Sequence, residues 1–205
     1  MTPAAFAEMT NVSRETLQRL ECFGRMLVNR QASVNLVSTG SLAQLWRRHM
    51  LDSAQLYPLL PGSPCRIVDF GSGAGFPGLV LAIMGATEVH LIESDRKKAR
   101  FLAEAARSAG LEPGVNPVIH QARIEDLVGW PADIVTARAC APLDRLLTLA
   151  ERFLGPNTIA LFMKGRRVED ELTLARKHWR MAVERLPSAS DSSGTILRLG
   201  QIRRG

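Results

Sequence analysis

A glycine-rich segment that follows a short apolar run limits most strongly what this chain can fold into. Residues 65–70 read CRIVDF, residues 71–78 read GSGAGFPG, and residues 79–85 form the apolar run LVLAIMG. Short apolar runs bounded by turn residues are typical of buried strands, and glycines let the backbone turn sharply before a helix. The order of strand, glycine loop and helix predicts a ligand-binding turn at the edge of a sheet.

The chain beyond this turn alternates between strand-like and helix-like segments. Further strands are predicted at 88–93, 115–119, 132–137, 158–163, 179–186 and 195–200, and helices at 95–110, 143–153 and 166–177. Such alternation is typical of an α/β fold with a mostly parallel, doubly wound sheet. A chain of 205 residues suits one such domain.

The N-terminal part follows a helical pattern instead. Apolar residues recur every three or four positions from Leu17 to Leu27, which predicts an amphipathic helix over 13–30 with Ser13 as its N-cap. A second helical pattern covers 41–57, and the segment PLLPGSP at 58–64 ends it. We therefore predict one structural unit of two parts, an N-terminal helical cap at 1–60 and a ligand-binding domain at 61–205.

Composition indicates where in the cell the protein works and which class of partner it binds. Lys and Arg outnumber Asp and Glu by 26 to 20, and this positive balance favours polyanionic partners. The cysteines Cys22, Cys65 and Cys140 lie far apart with no C-x-x-C spacing, which indicates reduced thiols and no metal site. No signal-peptide pattern opens the chain, and its longest apolar stretch, 78–86, is too short to cross a bilayer. We predict a cytoplasmic protein that stays off the membrane and, for want of an exposed heptad or long apolar edge, is a monomer.

Two acidic residues favour S-adenosylmethionine as the ligand of the glycine turn. Asp69 ends the first strand, where a carboxylate suits the positive end of a methionine moiety and suits a pyrophosphate poorly. Glu93 ends the second strand, where a carboxylate can accept hydrogen bonds from both ribose hydroxyls, a feature that dinucleotide-binding sites share. The pattern Gly73-x-Gly75-x-x-Gly78 also fits dinucleotides, so a nicotinamide-dependent oxidoreductase remains an alternative.

Many short motifs follow one another along the chain in a specific order and spacing: Asn35-Leu36-Val37-Ser38, Arg48-His49-Met50-Leu51-Asp52-Ser53, the glycine loop with Phe76-Pro77-Gly78, Ile92-Glu93-Ser94 with Lys97, Lys98, Arg100, Phe101 and Leu102, Arg123-Ile124-Glu125, Arg138-Ala139 and Lys164-Gly165. In these motifs, over nearly its whole length, the chain resembles the RsmG (GidB) family of bacterial 16S rRNA methyltransferases, which have a Rossmann-like class I methyltransferase fold. Val37 stands where this family usually has Thr, and Glu93 where Asp is common.

The resemblance implies S-adenosyl-L-methionine as cofactor and N7 of a guanosine in 16S rRNA of the small ribosomal subunit as the methyl acceptor. Guanine N7 has a lone pair and no proton, so we expect no general base and name no catalytic residue. The cofactor contacts predicted from the residues and the resemblance together are Asp69, Gly71, Gly73, Gly75, Phe76, Glu93, Ile124, Glu125 and Arg138.

The basic residues Arg48, His49, Lys164 and Arg166 are the predicted contacts to RNA. Each also has a structural interpretation, because charged residues on helix faces are often only solvated. Arg138 has three interpretations: it can hold the cofactor, hold a substrate phosphate or pair with an acid. Cys140 is expected to be a small buried apolar residue and not a nucleophile, since no partner base is nearby in the sequence. A second alternative for the whole chain is a non-catalytic ribosome-assembly factor with a vestigial cofactor pocket.

Overall fold

A computed structural model describes residues 1–205 and shows one central sheet of seven strands. The strands are β1 (Arg66–Phe70), β2 (Glu88–Ile92), β3 (Val118–His120), β4 (Ala132–Arg138), β5 (Leu154–Lys164), β6 (Trp179–Pro187) and β7 (Thr195–Arg204). Their order across the sheet is β3-β2-β1-β4-β5-β7-β6. Strands β1 to β5 pair in parallel, whereas β7 is antiparallel to both β5 and β6. The predicted mostly parallel α/β sheet is confirmed.

The strands β1, β2 and β3 lie side by side in chain order, whereas the next strand, β4, lies on the other side of β1. Ile67 of β1 is in register with Val89 of β2 on one side and with Ile134 of β4 on the other. β1 is thus central, and the crevice between the carboxyl ends of β1 and β4 is the point where open α/β sheets bind ligands. The glycine turn at 71–78 lies at this point.

Helices cover both faces of the sheet because its strands are apolar on both faces. The helices of eight or more residues are α1 (Pro3–Thr10), α2 (Arg14–Val34), α6 (Arg96–Ser108), α7 (Leu143–Ala150) and α8 (Val168–Ala175), and the shorter ones are α3 (Thr39–Leu42), α4 (Asp52–Ala54) and α5 (Gly78–Ile83). One hydrophobic cluster joins the cap to α5 and α6 through residues such as Phe23, Leu79 and Phe101. A second cluster packs Leu147 of α7 and Leu172 of α8 against the sheet. None of these helices is both long and apolar enough to cross a bilayer.

The cap differs from its prediction in two segments. Ser13 caps α2 by accepting a hydrogen bond from the Thr16 amide at 3.1 Å, as predicted, but α1 was not expected. Its signals were present in the sequence, since Thr2 accepts from the Ala5 amide and proline is favoured in a first helical turn. The helix expected at 41–57 is instead a series of short turns, with a π-helical turn at Trp46–Leu51 between α3 and α4. The wider turn buries three consecutive residues at 49–51, which an α-helix with one apolar face does not do.

Several strands and one helix begin or end at residues other than those predicted. β3 begins at Val118 and not at residue 115, because Pro117 has no amide proton for the ladder. The Asn116 side chain replaces strand pairing there, accepting from the Val89 amide at 3.0 Å and donating to the Ala86 carbonyl at 2.7 Å. β5 and β7 are longer than predicted, and α8 is shorter than the helix expected at 166–177.

Candidate cofactor and substrate site

A cavity of about 740 Å³ opens beyond the carboxyl ends of β1, β4 and β5. A volume of this size is typical of small-molecule sites. Its wall combines the glycine turn, the turn after β4, the end of β5, the cap and the loop between β6 and β7. Of the predicted site residues, seven line this cavity: Arg48, His49, Gly71, Gly73, Phe76, Arg138 and Lys164.

The glycine turn is shaped by backbone angles that other residues adopt poorly. Gly71, Gly73 and Gly75 have φ angles of 60°, 54° and 94°. A Cβ atom at Gly71 would lie 2.7 Å from Cys140 Sγ, so this position also requires the absence of a side chain. Gly75 does not line the cavity: a Cβ there would lie 2.9 Å from Leu79 Cβ, which shows that this glycine allows the turn to pack on α5. Gly75 has this packing role in the structure, and its contact with the cofactor stays a prediction.

Glu93 connects the glycine turn to the end of β2. Its Oε2 accepts a hydrogen bond from the Gly73 amide at 2.9 Å, and its Oε1 accepts one from the Asp95 amide at 2.7 Å. The residue is 8% exposed. A carboxylate has about four lone-pair sites, so both oxygens retain capacity to accept from two ribose hydroxyls. Glu93 does not itself line the cavity, but the unused acceptor capacity of its carboxylate, next to the glycine turn, suits a nucleoside.

Asp69, a predicted contact to the methionine moiety, lies beneath the glycine turn, and that contact stays a prediction. Its side chain is fully buried and accepts hydrogen bonds from Thr136 Oγ1 at 2.8 Å and from the Gly78 amide at 3.2 Å. Burial raises the pKa of Asp69 to about 6, although these hydrogen bonds oppose the shift. A Cβ at Gly78 would lie 2.8 Å from Asp69 Cβ, so the carboxylate fits under the start of α5 only because residue 78 is glycine. Asp69 therefore holds the glycine turn in place through its hydrogen bond with the Gly78 amide.

Ile124 and Glu125 lie away from the cavity, in a 3₁₀ turn after β3. Ile124 is 8% exposed and belongs to the hydrophobic cluster under α7 and α8, while Glu125 forms an ion pair with Arg145 of α7. Since β3 and β2 are neighbours, this turn follows the same sheet edge as Glu93. Contact of the pair with an adenine ring stays a prediction.

Arg138, at the end of β4, binds the cap. It donates to the Arg48 carbonyl at 3.0 Å and to His49 Nδ1 at 2.8 Å, and its Nη1 lies 3.5 Å from the Asp52 carboxylate. Its guanidinium also lies 5.0 Å from the centroid of the Phe76 ring. Of the three interpretations of Arg138, pairing with an acid is the one that the structure shows.

Lys164 and Arg166, both predicted to contact RNA, differ in their position relative to the cavity. Lys164 lines the cavity, but its Nζ forms an ion pair with Glu171 at 2.8 Å and donates to the Ala141 carbonyl at 2.7 Å. It therefore holds the turn after β4, and its contact with RNA stays a prediction. Arg166 is exposed and does not line the cavity, whereas its neighbour Arg167 does. The basic run at 164–167 was a signal for this rim, but it did not show which arginine faces the cavity.

Cys140 was expected to be buried, and this expectation is wrong. Ala139 has a φ angle of 50°, and after this left-handed residue Cys140 is exposed in the cavity wall beside Gly71. Desolvation, followed by the negative charges of Asp69 and Glu93, raises the pKa of the Cys140 thiol. A raised pKa disfavours the thiolate, which is the nucleophilic form of cysteine. No base is hydrogen-bonded to the Cys140 thiol.

The loop between β6 and β7 is the part of the site that sequence reasoning missed. Ser188 and Ser190 line the cavity, and their hydroxyls donate to the carboxylate of Asp52 in the cap. Arg47 Nε donates to the Ser190 carbonyl at 3.0 Å. The contacting residues are more than 130 positions apart in the chain, and the serine-rich sequence there shows only a turn.

A seven-stranded sheet of this order, with a glycine turn after β1 and an acid ending β2, defines a class I S-adenosylmethionine-dependent methyltransferase. Solved structures agree at the level of fold. M. jannaschii TYW2 in complex with AdoMet aligns with a TM-score of 0.58 and 15% identity, over 85% of this chain and 80% of that one. The ribosomal protein L11 methylase from Lactobacillus delbrueckii subsp. bulgaricus aligns with a TM-score of 0.57 and 18% identity, over 74% and 78%.

The sequence defines the family. The model of GidB, described as rRNA small subunit methyltransferase G, matches residues 16–195. The ribosomal RNA small subunit methyltransferase G of Rhodospirillum rubrum is 52% identical over 204 residues, covering 100% of both chains, and that of Paramagnetospirillum magneticum is 50% identical over 205 residues, covering 100% of this chain and 98% of the relative. The chain belongs to this rRNA methyltransferase family, whose methyl donor is S-adenosyl-L-methionine.

Proposed function

We propose that the protein transfers a methyl group from S-adenosylmethionine to N7 of a guanosine in 16S rRNA of the small ribosomal subunit. The observation that carries this proposal is the Glu93 carboxylate, bonded to the Gly73 amide of the glycine turn at 2.9 Å and still able to accept from ribose hydroxyls. Family membership supports small-subunit rRNA as the substrate.

The residues of the cavity suit an acceptor that has no proton to lose. Bound S-adenosylmethionine supplies an electrophilic methyl group on a sulfonium. Guanine N7 offers a lone pair directly, so the chain has only to align the two groups and exclude water. Two titratable side chains of the wall agree with this requirement: burial lowers the pKa of His49 to about 3, and desolvation by the surrounding cavity wall raises the pKa of the Cys140 thiol. At neutral pH the imidazole is therefore a very weak base, and the thiol stays protonated.

The rim of the cavity supports binding of a polyanion. Arg166 and Arg167 follow β5 at the entrance and form no ion pair within the protein, whereas Arg185, Arg198 and Arg204 are each neutralised by a glutamate. Cations without a protein partner are available to phosphates, and each phosphate they neutralise releases counterions. A single guanosine entering the cavity while its backbone rests on this rim is consistent with the scarcity of aromatic stacking residues.

A direct test uses S-adenosylmethionine labelled in its methyl group and unmethylated 16S rRNA, free and in small subunits. We expect label in the RNA and strand cleavage after borohydride and aniline treatment, which marks N7-methylguanosine. Absence of label with every such substrate would refute the proposal. The matched control is Gly73→Asp, which places a second carboxylate beside Glu93 and is expected to abolish both S-adenosylhomocysteine binding and labelling.

Two further measurements separate the two alternatives. A nicotinamide-dependent oxidoreductase would bind NAD in a calorimetric titration and leave S-adenosylhomocysteine unbound. A non-catalytic assembly factor would keep its ribosome-dependent function in the Gly73→Asp variant, although that variant binds no cofactor.

A further inference from the structure

One ring nitrogen of His49 has no hydrogen-bond partner in the protein. His49 lies in the π-helical turn of the cap, is 6% exposed and forms part of the cavity wall. Its Nδ1 lies 2.8 Å from Arg138 Nη2, whereas its buried Nε2 contacts no donor or acceptor. Buried polar groups are nearly always hydrogen-bonded, so an unpartnered ring nitrogen in a residue of the cavity wall points to a ligand that reaches it.

The hydrogen-bond partner of Nδ1 determines which ring nitrogen of His49 carries the proton. A guanidinium carries only donors, so the Nδ1 atom facing Arg138 must be the acceptor. Burial, and then the charges of Arg138 and Arg48, lower the pKa of His49 to about 3, which keeps the ring neutral. A neutral imidazole that accepts at Nδ1 carries its proton on Nε2. The ring is stacked on Phe76, with centroids 4.8 Å apart and planes at 28°, so the direction of this N–H is also fixed.

An N–H donor in this wall can distinguish purines. Guanine presents O6 and N7 as acceptors on one edge, whereas adenine presents N7 beside an amino group that donates. A donor on O6 leaves the N7 lone pair free and is repelled by the adenine amino group. We propose that His49 selects guanine, its Nε2–H donating a hydrogen bond to O6 of the base to be methylated. This inference rests on the function proposed above.

A neutral donor suits this base better than it suits the carboxylate of the cofactor. The charge of Arg138 is already matched by Asp52, and its donors are bound to His49 and to the Arg48 carbonyl. The guanidinium that contacts His49 is therefore not free to bind an anionic ligand. The methylated guanine is itself cationic, and a protonated imidazole beside it would oppose the reaction.

The test combines two variants of the whole protein with two RNA substrates. His49→Phe keeps an aromatic ring on Phe76 and removes the donor, whereas His49→Gln keeps a side-chain N–H at a similar distance from the backbone. One RNA carries the target guanosine, and the other carries 2-aminopurine at that position, which lacks O6 but keeps N7. Methyl transfer is measured under single-turnover conditions, S-adenosylhomocysteine affinity by calorimetry, and folding by thermal unfolding. The ¹⁵N NMR spectrum of His49 reports its tautomer directly.

The expected pattern is specific to a contact between His49 and O6. Loss of one neutral hydrogen bond corresponds to about a ten-fold change. We expect the wild-type protein to be about ten-fold slower on the 2-aminopurine RNA, and His49→Phe to be about ten-fold slower on the guanosine RNA with no further loss on the other. His49→Gln should recover most of the rate, cofactor affinity should be unchanged, and the NMR spectrum should show the Nε2–H tautomer.

Three results would overturn the inference. His49→Phe could methylate guanosine at the wild-type rate, it could lose cofactor affinity by the same factor as rate, or its losses could multiply with those of 2-aminopurine. Failure of the proposed function is distinguishable from these, because the wild-type protein itself would then transfer no methyl group to guanosine RNA, and the inference would fail with it.

Discussion

Replacing Asp69 with asparagine is expected to change how the stability of the protein depends on pH. Asp69 is fully buried, and burial raises its pKa from 3.8 to about 6. The folded state therefore holds this proton more tightly than the unfolded state, so the stabilising contribution is complete below pH 3.8 and is lost as the pH rises through about 6. At about 1.36 kcal/mol per pKa unit the whole effect is about 3 kcal/mol, of which about 1.4 kcal/mol falls between pH 5 and pH 8.

The assay is urea unfolding followed by tryptophan fluorescence at pH 5 and at pH 8. Asparagine does not titrate, and its Oδ1 can still accept from Thr136, although its Nδ2 cannot accept from the Gly78 amide. The free energy of unfolding of the wild type minus that of Asp69→Asn should therefore decrease by about 1.4 kcal/mol from pH 5 to pH 8. Asp170→Asn, at an exposed position of α8, is the matched control and should show no such decrease. An equal difference at the two pH values would refute the reasoning, because the carboxylate would then ionise without a burial cost.

Three other substitutions test the remaining contacts of the site. Glu93→Gln should weaken S-adenosylhomocysteine binding by about ten-fold or more in calorimetry, because hydrogen bonds to a charged group contribute about 1.5–3 kcal/mol; unchanged affinity would contradict the role of this acid. Gly71→Ala should weaken the same binding, since its Cβ would lie 2.7 Å from Cys140 Sγ and its φ angle is 60°. Adding Cys140→Gly should restore part of the affinity, and no recovery would show that the clash is not the cause. Arg138→Met should lower the free energy of unfolding by about 1.5–3 kcal/mol in urea titrations, because it removes the charge-assisted hydrogen bonds from Arg138 to the cap; a loss below about 0.5 kcal/mol would contradict the contact between β4 and the cap.

The centre of the fold was predictable because its signals are local. The glycine turn, the apolar run before it and Glu93 lie within about thirty residues, and each fixes a backbone or hydrogen-bonding requirement that a short sequence pattern can express. The parallel order of the strands follows from the alternation of helices and strands.

What the sequence could not predict depends on contacts between distant segments. Asp69 and Glu93 are both acids at strand ends, yet only the structure shows that one is sealed beneath Gly78 and the other bonded to the turn. Arg138 finds its partners in the cap about ninety positions earlier, and the β6–β7 loop finds Asp52 more than 130 positions away. Contacts between residues so far apart depend on how the whole chain packs, and no periodic pattern in the sequence predicts them.

A crystal structure of the protein with S-adenosylhomocysteine tests the central claim most directly. The account predicts that both ribose hydroxyls lie within hydrogen-bond distance of the Glu93 carboxylate oxygens while Oε2 keeps its bond to the Gly73 amide. It also predicts that the sulfur faces the cavity bounded by His49 and the turn after β4. A ribose bound elsewhere, or a glycine turn that closes against the nucleoside, would contradict it.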